Sequence, residues 1–127
     1  MAPSMAHLTF EDIFEAYNLP SGVMEHLDGS AAAGRPGITT PVGLHTFVDP
    51  RLEGGKLNSR ATEDLVEVTV CNGEECLFYK VIPIDVALIH ASESDTACNL
   101  GMSRNAGFWH NTDLAQAARA TGGSTLA

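Results

Sequence analysis

The chain has 127 residues, enough for one domain that buries on the order of two-thirds of its unfolded surface. Its 44% hydrophobic and 18% charged content excludes an intrinsically disordered chain, and a net charge of −9 argues against nucleic acid or anionic membrane as partners. No apolar run approaches the roughly 18 residues that span a bilayer. The opening MAPSMAHLTFEDIFE has neither the basic start nor the apolar stretch of a secretory signal, so a cytoplasmic location is expected.

Thr9 followed by Asp12 hints at a helix start, while IFEAYN also alternates as a strand, so residues 9–18 stay ambiguous. Pro20 suits the first position of a helix, where its missing N–H costs nothing. Val23, Met24, Leu27 and Ala31 then recur at helical spacing, and Gly34-Arg35-Pro36-Gly37 gives the stop. Residues 34–60 read as a glycine- and proline-rich basic loop, and long ordered loops are usually functional or mobile. The phosphate-loop pattern fails there, because Gly55-Lys56 is followed by Leu57 and residue 50 is proline.

LVEVTVCNGEECLFYKVI, residues 65–82, predicts a hairpin turning at Asn72-Gly73. A two-residue turn sets Cys71 opposite Glu74 and Thr69 opposite Cys76. The two cysteines are then diagonal, roughly 7–8 Å or more apart, too far for a relaxed disulfide. Three cysteines in all cannot pair off completely, and free thiols in a reducing compartment are expected. IDVALIHA, residues 84–91, reads as a buried strand, followed by a polar loop to about residue 110. Asn111 or Thr112 is expected to cap a short helix, DLAQAARA, stopped by Gly122-Gly123. STLA begins a second strand, so this region reads as a βαβ unit whose last strand is cut at its start.

Chemistry is sparse at this level. Ser21 sits in Leu-Pro-Ser-Gly-Val, which is not a nucleophile elbow, and a helix cap or entry is its simplest role. The five histidines form no His-x3-His pair, and Cys71-x4-Cys76 lacks zinc-site spacing, so no metal is expected. Arg35, Arg51, Lys56 and Arg60 give residues 35–60 a charge of +2 against −11 for the remainder. That segment is either a solvated loop or a local site for an anionic group.

Three stretches carry a resemblance: EAYNLPSGV, then AAAGRPGITTPVGLHTFVDPRLEGGKLN, then EECLFYKVIPIDVALI. In this order they resemble class I coenzyme A transferases, of the propionate or acetate CoA-transferase type. The match runs nearly throughout residues 15–89. Asp95, Asn99, Leu100 and AQAARATGG extend it more loosely. The resemblance implies an α/β fold, here a partial open parallel or mixed sheet with flanking helices and one β-hairpin. Residues 1–127 would form part of the first-half, alpha-type domain.

It also implies transfer of CoA from an acyl-CoA such as propionyl- or acetyl-CoA to a short-chain carboxylate. CoA thioester is then a substrate, and no bound cofactor is expected. In the family a second-half glutamate attacks the thioester, and no glutamate of this chain maps onto it. The chain is therefore expected to be incomplete and inactive alone. The alternatives are a subunit of a split, heteromeric transferase and a noncatalytic anion-binding or interaction module. Ser21 occupies the oxyanion-hole position, where the family typically has glutamine. Asn18, Gly22, Thr46, Phe47 and Lys56 are the substrate-binding candidates. Further departures are His90-Ala91-Ser92 in place of Arg-Gly-Thr, Cys98 in place of glycine, and GMSRNAGFWHN, which does not match. A partial domain exposes sheet edges and apolar surface, so self-association is expected.

Overall fold

The structure, a computed structural model, describes residues 3–104 and 110–127; part of GMSRNAGFWHN, residues 105–109, lies outside the described residues. The element order is α1 (Pro3–Phe10), α2 (Ser21–Ala32), β1 (Gly37–Thr40), β2 (Val66–Cys71), β3 (Glu74–Lys80), β4 (Val86–Leu88), β5 (Glu93–Ser94), β6 (Leu100–Gly101), α3 (Asn111–Ala120) and β7 (Ser124–Leu126). The α/β class stands, and the described strands fall into three small sheets ordered β1-β3-β2, β4-β7 and β5-β6. Contacts cluster into two compact units, one of Met1–Met24 with Gly37–Lys80, the other of Glu25–Pro36 with Val81–Ala127.

In the first unit the expected hairpin forms in the expected register, with Cys71 opposite Glu74 and Thr69 opposite Cys76. Asn72 and Gly73 both have positive φ, 53° and 86°, as the tight hairpin turn requires. All three cysteines are free thiols. The third strand, β1, lies inside the stretch read as loop. The β-branched run Ile38-Thr39-Thr40 pairs antiparallel with Phe78, Leu77 and their neighbours of β3. Flanking glycine and proline mask that strand in the sequence. Leu77 and Tyr79, two apart on β3, are fully buried and, with Val48, Val66 and Leu65, form the core of this unit.

Neither reading of residues 9–18 survives. Thr9 lies in the last turn of α1, and its hydroxyl donates back to the Met5 carbonyl at 2.9 Å. Beyond α1 only Tyr17 makes a β-bridge, to Lys56. Asn58 pins this segment. Its Nδ2 donates to the Thr9 and Phe14 carbonyls at 3.1 and 2.8 Å, and its Oδ1 accepts from the Ala16 and Ala61 N–H groups. All four hydrogen-bonding positions of the amide are thereby used.

Helix α2 ends at Ala32 as its sequence suggests. Gly34 N–H bonds to the Ala31 carbonyl and Arg35 N–H to the Ser30 carbonyl, the paired bonds of a Schellman stop.

In the second unit β4 and β7 run parallel on either side of α3 in sequence, confirming the βαβ reading. Ala87, Ile89 and Ala118 form its core, with Ile84, Leu100, Met102, Leu114 and Ala115 against them. Thr121 Oγ1 lies 3.0 Å from both the Ala117 and Ile84 carbonyls and accepts from Ile84 N–H, so it ties the helix end to the approach to β4. The polar loop contains the short β5–β6 hairpin, which the sequence does not signal.

Two expectations need correction. The expected caps Asn111 and Thr112 do not cap α3; His110 takes that place without a side-chain cap bond, because its ring pairs with buried Asp28 at 2.8 Å. Strand β4 is buried on one face only: Ala87 faces the core while Val86 and Leu88 are 52% and 72% exposed. The apolar run suggests cover on both faces, but among the described residues α3, Leu100 and Met102 cover the cluster around Ala87 while Val86 and Leu88 stay exposed.

Asn58→Ala removes four hydrogen bonds at once. A loss of about 2–4 kcal/mol is expected, read as a lowered midpoint in urea unfolding followed by circular dichroism.

Candidate functional site

The predicted site residues lie at the start of α2 and in the 41–56 loop, all within the first unit. Pro20 is not the first helical residue. It precedes Ser21, and its carbonyl accepts the first helical bond, from Met24 N–H at 3.0 Å. The N–H groups of Ser21, Gly22 and Val23 therefore stand in the helix's first turn, with no carbonyl of a preceding turn to bond. They carry the positive end of the helix dipole. Ser21 and Gly22 are exposed and Val23 is buried. Among the described residues nothing bonds the Ser21 hydroxyl, so it neither caps the helix nor has a base to activate it as a nucleophile.

The 41–56 loop is a chain of tight turns around one carboxylate. Asp49 is 1% exposed. Its Oδ2 accepts from His45 N–H at 2.9 Å and Arg51 Nη2 at 2.8 Å. Its Oδ1 accepts from Arg51 N–H at 3.1 Å and Arg51 Nε at 2.9 Å. Arg51 Nη1 also reaches Glu75 on β3 at 3.2 Å. The guanidinium beside Asp49, with the His45 N–H, holds its carboxyl far below the usual carboxylate range. The loop's start is anchored by the Tyr79 hydroxyl, which donates to the Val42 carbonyl at 2.7 Å. A Cβ on Gly43, at φ +98°, would lie 2.3 Å from that hydroxyl, so only glycine fits beneath it. Burial, and then the charge of Asp49, push the Tyr79 phenol upward.

Gly55 joins the loop to the approach to α2. Its N–H donates to the Phe47 carbonyl at 3.0 Å, and its carbonyl accepts from Asn18 N–H at 2.8 Å. A Cβ there would sit 3.0 Å from the Asn18 carbonyl, at φ +74°. Asn18 and Phe47 are thus brought to either side of one glycine. Phe47 is 43% exposed, whereas the Thr46 hydroxyl is used inside the turn, donating to the Gly43 carbonyl at 2.7 Å.

The basic residues do not present a free anion site. Lys56 Nζ bonds Asp64 Oδ1 at 2.6 Å and the Thr62 carbonyl at 3.3 Å, and draws the Asp64 carboxyl below its ordinary range. Arg51 is engaged as above, and Arg60 Nη1 donates to the Asp12 carbonyl at 3.1 Å. Arg35 belongs to the other unit. Among the described residues no cluster of three or more His, Cys, Asp or Glu side chains is placed to hold a metal ion. An open hollow of about 370 Å³ in the second unit, lined by residues including Ile89, Leu100, Met102 and Arg119, contains none of the predicted site residues.

Sequence reasoning singles out the exposed positions and misses their supports, Asp49, Tyr79 and Gly55. Asp-Pro-Arg at a loop centre is the one local hint, since Asp is a turn-former whose carboxylate can bond backbone two residues on.

The depressed Asp49 carboxyl makes stability pH-dependent. Its contribution is complete above the unfolded pKa of about 4 and is lost as pH falls below that value toward the folded one. Urea midpoints at pH 7 and pH 3 are expected to fall more for the native chain than for Asp49→Asn.

The pattern of the family described as Coenzyme A transferase matches residues 2–123. The caffeate CoA-transferase of Acetobacterium woodii is 49% identical over 108 residues, 85% of this chain and 21% of that protein. The acetate CoA-transferase YdiF of Escherichia coli K12 is 41% identical over 95 residues, 75% of this chain and 18% of that protein. The crystal structure of apo acyl-CoA transferase YdiF from E. coli O157:H7 superposes with a TM-score of 0.92 at 35% identity, over 98% of this chain and 24% of that one. A crystal structure of that transferase as a thioester complex with CoA matches equally well, at a TM-score of 0.92. The chain thus spans between about a sixth and a quarter of the relatives it matches, with 18–24% of their length covered. On the strength of the match across residues 2–123, the chain belongs to the coenzyme A transferase family.

Proposed function

We propose that this chain serves the transfer of CoA from a short-chain acyl-CoA, such as propionyl- or acetyl-CoA, to a carboxylate acceptor in the cytoplasm. One observation carries the reading: in a coenzyme A transferase sequence, Asn18 on the approach to α2 and Phe47 of the Thr46–Phe47 turn are held together through Gly55. Asn18, Gly22, Thr46, Phe47 and Lys56 are assigned to substrate binding. Lys56 acts there only if it exchanges Asp64 for a ligand group.

In the reaction a glutamate carboxylate attacks the thioester carbonyl. CoA leaves as thiolate, and an acyl-glutamyl anhydride forms. The thiolate then attacks the glutamyl carbonyl of the anhydride and releases the donor carboxylate, leaving a glutamyl–CoA thioester. An acceptor carboxylate reverses the two steps. Each addition puts negative charge on an oxygen, and N–H or O–H donors fixed near it lower the barrier. Ser21 stands at this oxyanion position. Its hydroxyl offers one donor on a side chain about two bonds shorter than glutamine's. The nucleophilic glutamate is assigned to sequence outside these 127 residues, in a longer chain or a separate subunit. The alternative of a noncatalytic anion-binding module is weakened by the internal pairing of Arg51, Lys56 and Arg60.

Two results test the proposal. The DNA flanking the gene is expected to encode the glutamate-bearing half. Co-expression with it is expected to give CoA transfer that Ser21→Gln raises about 10–100-fold, in an assay of CoA transfer from acetyl-CoA to propionate. Loss of activity in that variant would reject Ser21 as the oxyanion position. Separately, Val86, Leu88 and Leu126 leave an exposed apolar strip on the β4–β7 pair. Sedimentation of the 127-residue chain is expected to show a mass that rises with concentration, reduced by Leu88→Lys.

A further inference from the structure

The geometry points to Asp49 as the positioning residue of this site: its buried carboxylate sets the Gly43–Gly55 loop and, through Gly55, the placement of Asn18. This rests on the reading that the site serves CoA transfer. Four donors converge on the two carboxylate oxygens, three of them from Arg51 and one from His45 N–H. The Asp49 backbone is equally committed. Its N–H bonds to the Thr46 carbonyl, and its carbonyl accepts from Leu52 and Gly54 N–H. His45 is held at φ +61°, a left-handed conformation that a non-glycine residue keeps only when its surroundings impose it, and its N–H is one of the bonds to Asp49. The Phe47–Gly55–Asn18 bonds then carry this arrangement out of the loop. Asp49 itself, at 1% exposure, is closed to substrate, so it acts only through the residues it places.

Hydrogen exchange of the 127-residue chain and calorimetric titration with free CoA test this. In Asp49→Asn the amides of Asn18 and Gly55 are expected to exchange at least about tenfold faster, while those of β4 and α3 keep their rates. CoA affinity is expected to fall about tenfold or more at matched folded fraction, a loss that a purely structural role would not produce. If Asp49→Asn does not fold, Arg51→Lys serves instead. It keeps the charge but loses the planar fork, and is expected to speed the same two amides. Glu75→Gln, which removes only the exposed arm of the network, is expected to leave them within about twofold. Unchanged exchange at Asn18 and Gly55 in both Asp49→Asn and Arg51→Lys overturns the inference, as does an equal effect of Glu75→Gln. Failure of the native chain to bind CoA by itself leaves the proposed function to the co-expression assay. Exchange alone then decides whether Asp49 positions Asn18.

Discussion

The buried carboxylate of Asp49 is the interaction on which the first unit depends. A charge removed from water is stabilising only when its lone pairs are met by donors, and here all are met by the loop that carries it. The loop, in turn, has almost no regular structure. Its backbone bonds run largely within tight turns, three of them to the Asp49 backbone. Arg51 extends the same charge to Glu75 on β3, so the loop and the antiparallel sheet share one electrostatic network.

Around that centre the core supplies fixed walls. Tyr79 is wholly buried on β3 and uses its hydroxyl on the Val42 carbonyl, the kind of satisfied polar tip that allows a tyrosine inside. Gly37, Gly43 and Gly55 are places where backbone passes too close to a neighbour for a side chain. Asn58 does for the N-terminal segment what Asp49 does for the loop, holding irregular backbone by side-chain bonds. The candidate residues at the surface are thus carried by polar contacts that lie beneath them.

The second unit is built differently. Small residues, Ala87, Ala117 and Ala118, let α3 lie close on β4 and β7, and burial is one-sided. Thr121 fastens the helix end to Ile84. Val86, Leu88 and Leu126 face outward, an apolar surface that a two-stranded parallel pair does not cover by itself.

The sequence by itself determined what depends on neighbours a few residues apart. The Asn72-Gly73 hairpin and its register, the helical face of Val23, Leu27 and Ala31, and the stop after Ala32 follow from turn chemistry and periodicity. The βαβ order and the wording of residues 15–89 were equally legible, and so was the family. Only the tertiary structure decided the rest, because those features depend on partners far along the chain. Strand β1 exists because β3, nearly forty residues on, offers it an edge. His110 takes the start of α3, with its ring turned to Asp28. Lys56 pairs with Asp64 at the surface, and Tyr79 and Gly55 hold the loop through Val42 and Asn18, far along the chain, whereas the Asp49 bonds to His45 and Arg51 are local ones that Asp-Pro-Arg only hints at.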